Sequence, residues 1–245
     1  MPQRVVPSRA CSDGTACRMG HVVLPSLYLI TDRRQTHGRS LEDILASVSP
    51  IGGFMLQLRE RDLQTRALLQ LARSIQELTK TYQIPFLVND RVDLAVALDL
   101  HGVHLRSDSL PIRQARRCLR SWQLLGFSGH SVADMVSGEE EGADFGVIGP
   151  IFDTPSKRPY GPPLGLAVLE EASRRCRIPL YAVGGVTPQR VKDVKQAGAY
   201  GVAVIRAVFS EASPAEALQQ FATSLGVANT LAEGSFHAGG ETDAG

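Results

Sequence analysis

Eight short apolar runs, separated by stretches of helical periodicity, constrain the fold more than any other feature of this sequence. Most of the runs do not alternate between apolar and polar residues, which is typical of parallel strands buried on both faces. The predicted strands cover residues 26–31, 53–59, 85–89, 102–105, 123–127, 144–149, 179–184 and 201–205. Eight strand–helix units favour a single-domain α/β protein, a closed (β/α)8 TIM barrel, and an open doubly wound sheet is the alternative.

The segments between the runs have the spacing of amphipathic helices. Residues 66–80, for example, place an apolar residue at every third or fourth position, as on the buried face of a helix. Ser40 and Ser213 immediately precede two other such segments, and Ser109 lies close to the start of a third. Serine at these positions is a common helix N-cap, so we predict that helices begin there.

The chain has 245 residues, close to the usual length of one barrel domain, which is about 250 residues. We predict a barrel domain over residues 23–226, between a flexible N-terminal extension (1–22) and a disordered C-terminal tail (227–245) that are polar or rich in glycine. The formal net charge of +1 gives no electrostatic support for a nucleic-acid or membrane-surface partner. No apolar run approaches the roughly 20 residues of a membrane span, and the start lacks a signal peptide, so we expect a cytoplasmic protein.

The four cysteines are scattered and form no closely spaced pair, so neither a disulfide framework nor a zinc ribbon is predicted. Cys11, Cys17 and His21 do lie close together along the chain, but they belong to the polar N-terminal extension. Their spacing is not that of a common zinc site, and we expect a loose segment there.

In a TIM barrel the working residues follow the strands, at the C-terminal face of the sheet. Arg59, Glu60 and Arg61 follow the second strand. Three buried and unpaired charges would be costly, which leaves two interpretations. Either Arg59 faces a ligand and is held by Glu60, or the three residues form a solvated salt cluster. Asn89 and Asp90 end the third strand, where they either cap the next helix or orient a polar ligand.

Two histidines have different predicted roles. His104 lies within an apolar strand, where a histidine is more often a hydrogen-bonded core residue than a ligand. His130 follows the fifth strand in a loop of small residues that begins near Ser128. Because histidine titrates near neutral pH and a ligand can approach this loop, we predict a catalytic acid/base, with a structural role as the alternative.

The loops after strands 7 and 8 form the usual phosphate site of TIM barrels. Gly184 and Gly185 follow strand 7, and Val204 and Ile205 end strand 8. Their backbone amides are candidates to bind a phosphate, because glycine allows close approach and a short helix often begins after strand 8.

Taken together, these segments resemble the thiamine phosphate synthase family. The resemblance covers residues 27–221 in order and rests on LYLITDR, LQLRERD, FLVNDRVDLAVALDLHGVHL, GFSGHSVADM, ADFGVIGPIFDTPSK and YAVGGVTPQRVKDVKQAGAYGVAVI. The family implies one of two activities: coupling of hydroxymethylpyrimidine diphosphate to a thiazole phosphate with Mg²⁺, or metal-free aromatisation of a carboxythiazole phosphate by TenI-like thiazole tautomerases. It is also compatible with a homodimer, although no residue specifies an interface.

Departures from the synthase pattern favour the TenI branch. Arg61 stands where synthases usually carry a lysine that meets the diphosphate, and arginine differs in reach and geometry. Ser109 stands where they carry a magnesium-binding aspartate, and Arg106–Ser107 replaces Gly-Gln. A hydroxyl is a poor substitute for a carboxylate on a hard cation. Asp90 remains from the other metal position, and Asp108, one residue away, is a candidate to compensate.

We therefore expect a thiazole tautomerase of thiamine biosynthesis, an isomerase that needs no cofactor or metal and acts on a small phosphorylated thiazole through His130. The substrate-binding residues that the resemblance implies are Arg59, Arg61, Asn89, Ser128, Thr154 and Lys157. One alternative is thiamine phosphate synthase, with Mg²⁺ at Asp90 and Asp108. A second is a non-catalytic regulator that binds thiazole or thiamine phosphate.

Overall fold

The computed structural model describes residues 24–154, 158 and 161–227, which form one closed parallel barrel. Its strands are β1 (Leu27–Ile30), β2 (Phe54–Leu58), β3 (Phe86–Asn89), β4 (Gly102–Leu105), β5 (Leu124–Gly129), β6 (Phe145–Ile148), β7 (Leu180–Val183) and β8 (Gly201–Val204). Each strand pairs with the next one along the chain. β8 pairs with β1, so that Leu27 lies opposite both Phe54 and Val202. The predicted (β/α)8 barrel is confirmed, because an open sheet would leave β1 and β8 as unpaired edges.

Helices surround the barrel in the predicted order. They are α1 (Leu41–Val48), α2 (Thr65–Thr81), α3 (Val92–Ala97), α4 (Ile112–Cys118), α5 (Val132–Glu141), α6 (Gly165–Arg175), α7 (Val191–Gln196), α8 (Arg206–Phe209) and α9 (Pro214–Leu225). Ser40 and Ser213 cap α1 and α9 by accepting hydrogen bonds from the third backbone N–H beyond them, as predicted. Ser109 does not cap α4, whose N-cap is Pro111.

The strands separate two hydrophobic cores, because successive side chains of a strand point to opposite faces. The larger core lies between the strands and the helices. The smaller core fills the interior of the barrel with Tyr28, Ile30, Met55, Leu87, Leu124, Phe145, Val147, Tyr181 and Ala203, together with Leu24 below the strands. The rings of Tyr28, Phe145 and Tyr181 contact one another with centroids 5.6–5.7 Å apart. The barrel is therefore packed solid, and ligands can reach only its ends.

The four-residue helix α8 was not predicted as a separate element, since a single helical turn is too short to show a periodicity. The predicted extension over residues 1–22, with Cys11 and Cys17, lies outside the described residues, and so does nearly all of the predicted tail. The domain boundaries therefore remain predictions. Within the described ranges, no helix is long and apolar enough to cross a membrane.

Candidate active site

The C-terminal ends of the strands form a mouth at one end of the barrel, and its side chains continue the inward-facing rows of the strands. On β2, the buried Met55 of the inner core is followed two positions later by Gln57, and two positions later again by Arg59. On β5, the same alternation leads to Ser128 and then His130. This period of two explains why chemically active residues at separate places in the sequence meet at one face.

Glu60 anchors the loop after β2. Its side chain is 1% exposed, and its carboxylate accepts hydrogen bonds from the Thr31 hydroxyl at 2.6 Å and from the Arg33 backbone N–H at 3.1 and 3.2 Å. The Thr31 hydroxyl in turn accepts from the Arg59 backbone N–H at 2.9 Å. Burial raises the pKa of Glu60, and these hydrogen bonds oppose the rise. Glu60 holds Arg59 indirectly: it fixes the Arg59 backbone through Thr31, the residue that follows β1.

The Arg59 guanidinium is half-buried at the mouth and, within the described residues, forms no ion pair. Burial lowers its pKa, and the charges of Arg61, Arg106 and Arg34 lower it further, while Asp32 opposes them. Asp32 is itself paired with Arg34 at 3.1 Å. A half-buried guanidinium among like charges has an unfavourable electrostatic energy that an anion would relieve.

Asp90 is the centre of a second charged cluster, after β3 and β4. One of its carboxylate oxygens accepts from Arg106 Nε at 2.8 Å and from Asn89 Nδ2 at 3.0 Å, and the other accepts from the Ser109 hydroxyl. Arg106 also contacts the Asp108 carboxylate at 3.2 Å through Nη2. Asp90 has a φ of 61°, a left-handed conformation that aspartate adopts more readily than most residues. Both oxygens of Asp90 therefore have partners within the protein.

A magnesium ion of the kind that the resemblance implies does not fit these residues. Mg²⁺ requires oxygen ligands in octahedral geometry, usually from one or two carboxylates. The Asp90 carboxylate is fully engaged, and the Arg106 guanidinium holds the position beside it that a cation would take. In the described part of the chain, no group of three or more histidine, cysteine or acidic side chains could hold a metal ion. The side chains around Asp90 therefore suit an arginine guanidinium and not a divalent cation.

His104 is buried beneath the mouth and supports it. Its side chain is 1% exposed, with Nδ1 at 3.2 Å from the Tyr28 hydroxyl and Nε2 at 2.8 Å from Ser128 Oγ. Burial lowers the pKa of His104 to about 3, so its ring is neutral at physiological pH. The prediction of a hydrogen-bonded core histidine is confirmed. Ser128, a predicted substrate-binding residue, is oriented by this ring.

The buried neutral state of His104 predicts that acid destabilises the protein. In the unfolded chain the His104 pKa returns to about 6.5, so the unfolded state binds the proton more tightly. The contribution of His104 to stability is complete above that pH and falls by about 1.4 kcal/mol per pH unit as the pH drops towards the folded pKa. In urea unfolding, we expect the wild type to lose about 1 kcal/mol more than His104→Gln between pH 7.5 and 5.5. Equal losses in the two proteins would contradict this account.

His130 lies exposed at the rim, after β5. Its Nδ1 is 2.6 Å from the Gly149 carbonyl oxygen, and its backbone N–H donates to Asp134 at 2.7 Å. Ser131 caps α5 by accepting from the Asp134 backbone N–H. This local network fixes the His130 backbone, while the ring reaches the loop after β6.

The glycines after β7 lie directly against the loop after β6. Gly184 has a φ of 90° and Gly185 a φ of 64°, which favour glycine. A Cβ atom on Gly184 would lie 2.6 Å from Pro150, and one on Gly185 would lie 2.7 Å from the Asp153 carbonyl oxygen. Glycine is therefore required at both positions, because φ is positive and because a Cβ atom would overlap with the loop after β6. Two further residues were predicted to bind the phosphate. Val204 is buried at the end of β8, and Ile205 is the N-cap of α8.

The other predicted substrate-binding residues lie in different surroundings. Asn89 is buried and connects Asp90 to Gln57, whose Nε2 donates to Asn89 Oδ1 at 3.1 Å. Arg61 is exposed, and Thr154 is half-buried at the end of the described part of its loop. Lys157 lies outside the described residues.

Gln57 is a residue that the sequence analysis did not select. Gln57 is 1% exposed, and its Oε1 has no hydrogen-bond partner among the residues that the structure describes. A buried, unpaired acceptor is unfavourable in the free protein and suits a ligand that brings an N–H or O–H donor. The signal in the sequence is a lone glutamine at an inward position of an apolar strand.

The structure is thus a closed (β/α)8 barrel with guanidinium groups on the β2–β4 side of its mouth and a glycine-rich loop on the β7–β8 side.

The chain matches the family model described as thiamine monophosphate synthase over residues 27–208. It is 41% identical over 191 residues to a putative thiamine-phosphate synthase of Geobacter sulfurreducens, covering 78% of this chain and 90% of that one. It is 38% identical over 182 residues to the thiamine-phosphate synthase of Clostridium novyi, covering 74% and 89%.

A solved structure agrees with these matches. The thiamine phosphate pyrophosphorylase from Pyrococcus furiosus superposes with a TM-score of 0.75 and 28% sequence identity, covering 82% of this chain and 96% of that one. The chain belongs to the thiamine monophosphate synthase family.

The prediction of a thiazole tautomerase is wrong. Relatives that are 34–43% identical and match 74–85% of the chain carry the name thiamine-phosphate synthase, which is the activity given above as the alternative. The inference equated the missing carboxylate at Ser109 with the loss of the coupling reaction. That reaction requires positive charge at a diphosphate, and arginine guanidinium groups also bind phosphate oxygens through charge-assisted hydrogen bonds.

Proposed function

We propose that this protein is a thiamine-phosphate synthase, a transferase that couples hydroxymethylpyrimidine diphosphate to a thiazole phosphate. The observation that carries the proposal is the half-buried Arg59 guanidinium, which has no ion-pair partner among the described residues and shares the mouth with further arginines. The family membership and the names of the relatives support the same reaction.

The proposed reaction requires positive charge near the leaving diphosphate more than it requires a general base. The bond between the methylene carbon of the pyrimidine and the diphosphate oxygen breaks, and a bond forms between that carbon and the ring nitrogen of the thiazole. Diphosphate leaves with the electron pair, and this bond exchange transfers no proton. In our proposal Arg59 and Arg61 bind the diphosphate and stabilise the charge that develops on it, because charge-assisted hydrogen bonds are strongest to such oxygens.

The opposite side of the mouth takes the second substrate in this proposal. The backbone amides of Gly184, Gly185, Val204 and Ile205 bind the phosphate of the thiazole. In this proposal Asn89, Ser128, Thr154 and His130 contact the substrates between the two anionic groups, and Lys157, which lies outside the described residues, stays a predicted substrate-binding residue. His130 contacts substrate here and is not assigned a proton transfer. A cytoplasmic location and a homodimer, both expected from the sequence, stay predictions.

A direct assay tests the proposal. The purified protein is incubated with both substrates and MgCl₂, and thiamine phosphate and inorganic diphosphate are quantified separately. We expect the two products in equal amounts and at a rate proportional to enzyme concentration. Binding of both substrates by calorimetry without product would contradict the proposal and favour a non-catalytic binding protein.

A further inference from the structure

We propose that Arg106 replaces a divalent cation beside Asp90, so that this protein binds diphosphate directly through its guanidinium groups, without a metal ion. The inference rests on the proposed function for the identity of the anion as the diphosphate that leaves in the coupling reaction. It assigns a binding role to Arg106.

Arg106 is held in place from several directions. Its Nε donates to Asp90 at 2.8 Å, its Nη2 lies 3.2 Å from Asp108, and its backbone N–H donates to Ser109 Oγ at 2.7 Å. Ser109 passes the constraint on by donating to Asp90. The side chain loses little further conformational freedom when a ligand binds, which favours affinity.

The guanidinium keeps donors for a ligand. Of the N–H groups of arginine, one on Nε and one on Nη2 face the two carboxylates. The N–H groups of Nη1 and the second one of Nη2 have no acceptor among the described residues. The side chain is 27% exposed, so these donors can be reached from the mouth. Arginine binds phosphate oxygens through such paired donors.

The charged residues near Arg106 also favour an anionic ligand. Five carboxylates lie in this region, and each already faces an arginine: Asp90 and Asp108 face Arg106, Asp32 faces Arg34, and Glu60 and Asp62 face Arg33. Arg59 and Arg61 are left without a carboxylate partner among the described residues, and the Arg106 charge reaches Arg59 strongly enough to lower its pKa. The guanidinium groups of Arg59 and Arg61 carry positive charge that no described carboxylate pairs with, and an anion is the ligand that they attract.

The choice between cation and guanidinium follows from the donor set. A magnesium ion at Asp90 would have to displace Arg106 from its contacts of 2.8 Å with Asp90 and 3.2 Å with Asp108, and Ser109 would offer it only a neutral hydroxyl. Magnesium gives up its hydration water reluctantly, so the guanidinium is the favoured occupant of this position. With Arg106 in place, the positive charge is part of the chain and is present at any magnesium concentration.

Calorimetric titration with inorganic diphosphate tests the inference, once in EDTA and once in MgCl₂. We expect the dissociation constant in EDTA to lie within about threefold of that in MgCl₂, and Arg106→Gln to raise it in EDTA by about tenfold or more, as for a lost hydrogen bond to a charged group. Arg174→Gln is the matched control, because Arg174 is exposed in the last turn of α6, at the other end of the barrel. This control should bind diphosphate like the wild type.

Two outcomes would overturn the inference: diphosphate that binds only when MgCl₂ is present, or an Arg106→Gln protein that binds it unchanged in EDTA. Thermal unfolding of each variant shows whether it is folded. If Arg106→Gln does not fold, Arg106→Lys keeps the charge but not the paired donors and is expected to bind several-fold more weakly. Failure of the proposed function would look different, since diphosphate would still bind in EDTA while no thiamine phosphate formed.

Discussion

Replacement of Arg59 by methionine is expected to lower kcat/KM for the coupling reaction by about 100- to 1,000-fold, the usual effect of removing a group that stabilises developing negative charge. Arg59 is half-buried, has no ion-pair partner among the described residues and lies among like charges. Methionine keeps the apolar stem and removes only the charged group. We therefore expect the melting temperature to stay the same or rise, since the variant relieves a repulsion in the free protein.

His130→Ala is the comparison for this experiment. His130 lies at the same mouth, but the bond exchange in the coupling reaction does not require it to move a proton. We expect His130→Ala to retain the coupling activity within about tenfold, below the usual range for loss of a general acid or base. The measurement is steady-state kinetics with thiamine phosphate as the quantified product. A methionine variant of Arg59 as active as the wild type, or an inactive alanine variant of His130, would contradict the proposed division of roles.

Substitution of Gly185 by alanine is expected to have the second large effect, on both stability and substrate binding. The added Cβ would lie 2.7 Å from the Asp153 carbonyl oxygen and 2.8 Å from Phe152 Cβ, in a residue with a φ of 64°. The left-handed backbone and the overlap together should cost about 2–4 kcal/mol of unfolding free energy. The loop after β6 must move away, so the KM for the thiazole phosphate should rise by about tenfold or more, as expected when a phosphate contact is lost.

Gly38→Ala separates the two contributions. Gly38 has a φ of 80°, and an added Cβ there would meet nothing within 4 Å. Only the backbone penalty applies, so this variant should lose about 1 kcal/mol and keep its KM. Urea unfolding and steady-state kinetics of both variants provide the comparison. Equal loss of stability in the two proteins would show that contact with the loop after β6 is not what requires glycine at position 185.

The fold was readable from the sequence because it depends on local patterns. All eight strands lie where apolar runs bounded by glycine, proline or polar residues predict them, and their ends differ from the prediction by at most two residues. His104 could also be assigned to the core, since its neighbours along the strand are apolar. Topology then places the strand ends together, which is enough to find the mouth of the barrel.

The pairing of charges at the mouth could not be predicted, because it depends on side-chain geometry between neighbouring strands. Sequence reading treated Ser109 as a missing metal ligand and left Arg106 without a role. The structure shows that Arg106 neutralises Asp90 across the β3–β4 pair, and that Ser109 supports this contact. The same limit applies to Glu60, whose partners Thr31 and Arg33 follow β1 and lie 29 and 27 residues earlier in the chain. Spacing along the chain identifies which residues reach the mouth but not which of them face each other.

The aromatic side chains that fill the barrel below the mouth, Tyr28, Phe145 and Tyr181, have a consequence for how such a protein can change over generations. They supply packing energy in a layer below the strand ends, and Arg59, Arg61 and Arg106 lie outside that layer. Mutations in the loops can therefore alter which molecule is accepted while leaving the packed interior of the barrel intact. Directed evolution that randomises only the strand-end loops should yield a high proportion of folded variants, among which new specificities can be selected.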